Sequence, residues 1–145
     1  MQITSKFTIA VHILTAIDYF KDDAVTSGFL AASVGANPVI VRGVMGELKA
    51  AGLIAVSRGR TGIALARPLA DITLYDVYAA VGAAEDSLFR FHDSPNPQCP
   101  VGRNIHAALD GRLAAAEQAM EASLRAMTVA EVAADIQNRQ GREAQ

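Results

Sequence analysis

The chain has 145 residues, 51% of them hydrophobic and 19% charged, with a net charge of −2 and a single cysteine. That length suits one domain with an added element, the composition is too apolar for a disordered chain, and one cysteine excludes an intrachain disulfide framework. No run of about 18 apolar residues offers a membrane span, and Lys6, His12 and Asp18 break the N-terminal apolar stripe where a secretory leader would be continuous, so a cytoplasmic protein is expected.

Ile3 to Phe20 carries Phe7, Val11, Leu14 and Ile17 on one stripe, with Ala10 and Ile13 beside it. That spacing predicts a first helix, which Thr4 or Ser5 can cap. Lys21-Asp22-Asp23 is a polar break. Thr26 can cap a second helix holding Phe29, Leu30, Ala32, Ser33 and Val34 and ending near Gly35. The turn Gly35-Ala36-Asn37-Pro38 opens a third helix, with Asn37 as N-cap and Pro38 in the first helical position. Its apolar residues Val41, Val44, Met45, Leu48 and Ala51 are spaced 3, 1, 3 and 3, and Gly52 suits a left-handed stop. The other face carries Asn37, Val39, Ile40, Arg42, Gly43 and Lys49. Taken alone, this is also the pattern of an ordinary amphipathic surface helix.

Leu53 to Val56 and Ile63 to Ala66 are short apolar runs separated by Ser57-Arg58-Gly59-Arg60-Thr61-Gly62, which reads as a β-hairpin. Two arginines and two hydroxyls at its tip can reach phosphates or a minor groove, although a generic hairpin is polar at its tip too. The order of helix, glycine stop and basic hairpin is what points to a recognition helix followed by a DNA-binding wing. The expected fold is mainly α with a small β-hairpin wing: a winged helix-turn-helix over 1–67, then a linker, a sensor loop and dimerisation helices over 68–145. Residues 1–67 hold 7 Lys or Arg against 4 Asp or Glu, and residues 68–145 hold 6 against 11. The first half is therefore basic and the second acidic, a split that is also small enough to arise by chance.

In the second half, Thr73 can cap a helix containing Leu74, Val77, Tyr78 and Val81. Prolines, Asn, Asp and Ser over Phe91 to Pro100 indicate a loop. A long helix is predicted from about Val101 to Ala126. Ile105, Leu109, Leu113, Ala116, Met120, Leu124 and Met127 recur along it at spacings of 4, 4, 3, 4, 4 and 3. This near-heptad stripe suits packing along another helix, and it serves equally to cover its own domain. Thr128-Val129-Ala130-Glu131 is a capping-box pattern opening a last short helix to about Gln137, with Asn138 to Gln145 frayed.

Ser5-Lys6, Leu48-Lys49-Ala50-Ala51-Gly52-Leu53-Ile54, Ser57 to Gly62 with Leu65-Ala66-Arg67-Pro68, Ile72 to Val77, and Cys99 to Ile105 together resemble the Rrf2 family of bacterial winged-helix transcription regulators over nearly the whole chain. The family often has Gly-Gly where this chain has Thr61-Gly62, a change expected to adjust the hairpin tip rather than the fold. The resemblance implies a homodimer on a roughly palindromic promoter site in double-stranded DNA, usually acting as a repressor. It implies a DNA-facing set of Ser5, Lys6, Thr26, Asn37, Val39, Ile40, Arg42, Arg58, Arg60 and Thr61. It also implies an intersubunit seam of Ile105, Leu109, Leu113, Ala116, Met120 and Leu124.

Cys99 is the candidate signal input. It lies just before a helix N-terminus with Arg103 one turn on, and both features favour thiolate over thiol. A lone cysteine is otherwise most often a small apolar filler. Redox and metal sensing are common in the family, whose iron–sulfur members carry three cysteines in this region. Here the comparable positions read His92, Cys99 and His106, each seven apart. One thiolate per chain is poor support for a cluster, so no cofactor and no metal is expected. His12 reads as a packing residue. No Gly-rich phosphate loop, His-Glu-x-x-His or Gly-x-Ser-x-Gly occurs, and Asp22-Asp23 and Glu85-Asp86 read as solvated turn charges, so an enzyme is not expected. Three roles stay open: a repressor switched by oxidation of Cys99, a regulator answering a small-molecule effector with Cys99 merely lining a pocket, and a winged-helix module that binds protein through its acidic half.

Overall fold

The computed structural model describes residues 5–57, 62–85 and 87–144. The first three helices are α1 (Lys6–Tyr19), α2 (Ser27–Val34) and α3 (Pro38–Ala50). The expected start of α1 at Ile3 and its cap Thr4 lie outside the described residues. Ser5 occupies the N-cap position but makes no side-chain cap bond. Thr26 caps α2 by accepting the Phe29 amide at 3.1 Å, and Asn37 caps α3 by accepting the Val39 amide at 2.8 Å. Gly35 ends α2 in the left-handed region at φ +72°. Beyond α3 the Gly52 amide donates to Lys49 and the Leu53 amide to Leu48, with Gly52 at φ +76°, the paired stop that a residue without Cβ allows.

The wing strands β1 (Ile54–Val56) and β2 (Ile63–Leu65) pair antiparallel, with Ile54 opposite Leu65 and Val56 opposite Ile63. Each is one residue shorter than the apolar run that announced it. Leu53 gives its amide to the end of α3, while its carbonyl still accepts the Ala66 amide at 3.0 Å. Arg58, Gly59, Arg60 and Thr61, the expected basic tip, lie outside the described residues.

A 3-10 turn (Leu69–Asp71) leads to α4 (Leu74–Ala80), α5 (Pro100–Arg125) and α6 (Val129–Glu143). Thr73 and Asp76 form a capping box on α4, and Thr128 and Glu131 form one on α6. Helix α6 runs well past the expected end at Gln137. Val129 is fully buried, Ala130 and Ala133 pack on the core, and an Asp135–Arg139 ion pair at 3.1 Å spans the next turn, so the expected fraying does not begin there.

One core gathers Ile13, Leu14, Leu30, Val44, Leu48, Ile72 and Val129, and it is continuous across residue 67. The return of the chain is fixed by backbone bonds: Leu74 donates to Met127 and Val129 donates to Ile72, both at 2.9 Å. Helix α5, by contrast, has no buried residue among its 26. Its last turn is held where the Arg125 guanidinium lies 3.8 Å from the centre of the Tyr75 ring.

Candidate nucleic-acid interface

Helix α3 has two different faces. Val41, Val44 and Leu48 are fully buried, while Val39 is 66% and Ile40 47% exposed. Asn37, Arg42, Gly43, Gly46 and Lys49 are exposed as well. This is the face read from the sequence, with Gly46 added. A Cβ at Gly43 or Gly46 would meet nothing within 4 Å, so neither glycine is there for internal packing.

The wing is anchored in part by a contact that no local motif announced. The Ile63 amide donates to the Val25 carbonyl at 3.0 Å, tying β2 to the segment that enters α2. Gly62 has φ +60°, and a Cβ there would lie 2.4 Å from the same carbonyl oxygen. Only glycine permits that approach. The Ser57 amide closes the base of the wing by donating to the Gly62 carbonyl at 2.9 Å.

The remaining expected contacts are distributed around α3. Thr26 and Asn37 are exposed at the starts of α2 and α3, and each spends a side-chain oxygen on its cap. The Thr26 hydroxyl proton and the Asn37 amide donors remain for an outside acceptor. Ser5 is exposed at the start of α1. Lys6 is engaged within the fold: its Nζ lies 3.0 Å from Glu47 Oε1, at side-chain exposures of 45% and 33%. This pair was not foreseen because Glu47 is 41 residues away.

Cys99 is exposed and stands at the N-cap of α5, with Arg103 exposed one turn on. The backbone N–H groups of Gly102 and, less strongly, Val101 hold its thiol below the ordinary range. The loop before it is seated on α5. Glu117 Oε1 accepts the Leu88 amide, the Phe89 amide and the Ser87 hydroxyl. Phe91 packs on His106 with ring centres 4.6 Å apart, and Asn96 backbone atoms approach Gly102 so closely that a Cβ would lie 2.6 Å from the Asn96 oxygen. His106 Nε2 sits 3.1 Å from the backbone carbonyl of His92. Among the described residues no three His, Cys, Asp or Glu side chains are placed to hold a metal ion, so His92, Cys99 and His106 do not form a ligand set.

Along α5, Ile105, Leu109, Leu113, Met120 and Leu124 are half-buried and Ala116 is exposed. Leu113 shares the lining of a small cavity with the chain's own Phe89 and Phe91. A groove of about 650 Å³ runs between α1 and α6, lined by Val11, His12, Ala16, Tyr19, Phe20, Val132 and Ile136 among others. His12 is not simply packed there, since its Nε2 lies 2.9 Å from Ser33 Oγ. Cys99 does not line this groove. The sequence signal for it was the stripe Val129, Val132, Ala133 and Ile136, which shows the inner face of α6. Among the described residues no single helix is long and apolar enough to cross a membrane.

The profile of the Rrf2 family, described as an iron-dependent transcriptional regulator, matches residues 3–135. YwnA of Bacillus subtilis strain 168, provisionally named an HTH-type transcriptional regulator, is 39% identical over 130 residues, covering 90% of this chain and 96% of that protein. A solved protein provisionally described as DNA-binding is 35% identical, covers 88% of this chain and 98% of its own, and superposes with a TM-score of 0.70. A provisionally named transcriptional regulator of Lactobacillus plantarum is 25% identical over 99% of this chain and 100% of its own, with a TM-score of 0.78.

Proposed function

Because this chain belongs to the Rrf2 family of DNA-binding transcription regulators, and is a regulator rather than an enzyme, we propose that it acts in the cytoplasm as a homodimeric repressor of a palindromic promoter site. The observation that carries the reading is the exposed outer face of α3, where Val39, Ile40, Arg42 and Lys49 stand clear of the core. In this reading residues 1–67 grip the duplex through α3 and the wing, with Arg58, Arg60 and Thr61 at phosphates, and residues 68–145 carry the signal loop and the dimer seam. A long helix with no buried residue and a half-exposed stripe of Ile105, Leu109 and Met120 supports the seam, because a second copy of α5 would cover it. The lowered Cys99 thiol supports a switch by oxidation at that residue.

The test is a fluorescence-anisotropy titration against duplex DNA from the region upstream of the chain's own gene, with reduced protein and with protein treated with mild oxidant. Salt-sensitive, sequence-specific binding that is lost on oxidation, and that oxidant leaves intact in Cys99→Ser, is the expected result. Arg42→Ala and Arg58→Ala should each weaken binding while sedimentation still reports a dimer; unchanged binding in both removes the assigned surface. A second reading has its own observation in the groove between α1 and α6, whose volume is that of a small-molecule site. Specific binding indifferent to oxidant would move the switch from Cys99 to an effector seated there.

A further inference from the structure

The exposed face of α3 has a pattern of its own. At about 3.6 residues per turn, Val39, Gly43, Gly46 and Ala50 fall along one line down its centre. Arg42 and Lys49 lie together on one flank, and Ile40 on the other beside Glu47, whose carboxylate is paired with Lys6. The centre is therefore apolar or bare and the charge stands to the side. This is the reverse of a helix surface built for water, where the charged side chains occupy the most exposed line. The face also works against the helix that bears it: two interior glycines and two β-branched residues lower helix propensity. None is compensated by packing, since Val39 and Ile40 are exposed and the space beside both glycines is open.

A major groove has the complementary layout. Its floor presents the 5-methyl group of thymine as the one apolar base edge, and its walls are phosphate. Bare backbone at Gly43 and Gly46 lets the helix axis sink towards that floor. Val39 and Ile40, in the first turn, then reach base edges at the end of the helix that meets DNA in helix-turn-helix complexes. Arg42 and Lys49 stand where a phosphate strand would pass, a contact that positions the helix without reading sequence. Resting on the proposed operator binding, we infer that Val39 and Ile40 determine specificity by packing on thymine methyl groups in the major groove.

The test begins with the full chain selecting duplexes from a randomised DNA pool. Each thymine of the selected half-site is then replaced by uracil, which removes only the methyl group, and Kd is measured by anisotropy. Uracil at one or two positions should weaken the wild-type protein about fourfold, the value of one buried methyl group. Val39→Ala or Ile40→Ala should bind those thymine duplexes more weakly and lose the distinction between thymine and uracil, with an unchanged salt slope. Because both side chains are exposed, circular dichroism should show both variants folded. Wild-type indifference to uracil at every thymine, or an undiminished uracil penalty in both variants, overturns the inference while operator binding stands. A pool that yields no preferred sequence overturns both.

Discussion

Replacing Gly43 and Gly46 by alanine should move stability and DNA affinity in opposite directions. Both glycines lie inside α3, where each is about 0.8–1.0 kcal/mol less favourable than alanine. Neither has a positive φ, and an added Cβ meets nothing within 4 Å, so no steric cost offsets the gain. The double variant should therefore be about 1.5–2 kcal/mol more stable. For a chain of this size that is a rise of roughly 5 °C in Tm, measurable by thermal circular dichroism. The same two methyl groups would stand on the central line of the face offered to DNA. Overfilling a close contact costs about 1–3 kcal/mol, which at about 1.4 kcal/mol per decade means a Kd raised by roughly fivefold to a hundredfold in the anisotropy titration. A lower Tm would refute the assignment of both positions as open. A higher Tm with unchanged Kd would refute close approach of the α3 backbone to the duplex.

Three further outcomes follow from single contacts. Gly62→Ala should cost roughly 2 kcal/mol or more in urea unfolding, since it combines a positive φ with a Cβ 2.4 Å from the Val25 oxygen; Gly52→Ala, at φ +76° in open space, should cost only about 1 kcal/mol, and equal losses would remove the clash from the account. Cys99 should be alkylated by iodoacetamide with a midpoint at lower pH than an unstructured thiol peptide, because amides that favour thiolate bring the reactive form in earlier as pH rises. Gly102→Ala, which drives Asn96 away from α5, should return that midpoint towards the ordinary value; an unchanged profile would detach the loop from the thiol. Thr73→Ala should lower stability by about 1 kcal/mol through the lost cap on α4, and no change in the urea midpoint would show that this cap contributes nothing.

The parts of the fold legible in the sequence are those decided by local chemistry. Thr26 and Asn37 accept amides that a helix start leaves without partners, and Gly35 and Gly52 adopt left-handed conformations that side chains resist. Each of these choices is made within a few residues, so α2 and α3 could be bounded before any tertiary contact was known. The outer face of α3 was legible for the same reason, since the buried stripe fixes where the other side must point. The end of α6 was not. Its polar last turns read as fraying, and its hold on the fold depends on the core that buries Val129 and packs Ala130 and Ala133.

What sequence left open is the set of contacts that join α1, α3 and the wing to their neighbours. A glycine at the base of a basic hairpin reads as a turn residue and nothing more. In the structure the missing Cβ of Gly62 is the space occupied by the Val25 carbonyl, and the amide of Ile63 binds that same oxygen. The wing is thereby referenced to the residue just before the cap of α2, and α2 leads through Gly35 directly into α3. Lys6 and Glu47 tie the start of α1 to the outer end of α3 in the same way. None of these pairs has a periodicity, a cap or a turn rule behind it, because each joins groups brought together only once the core has formed. The sequence therefore shows which surface could meet a duplex. The ties of the wing to the entry of α2, through two backbone groups, and of α1 to α3, through an ion pair, are ones that only the folded chain brings into register.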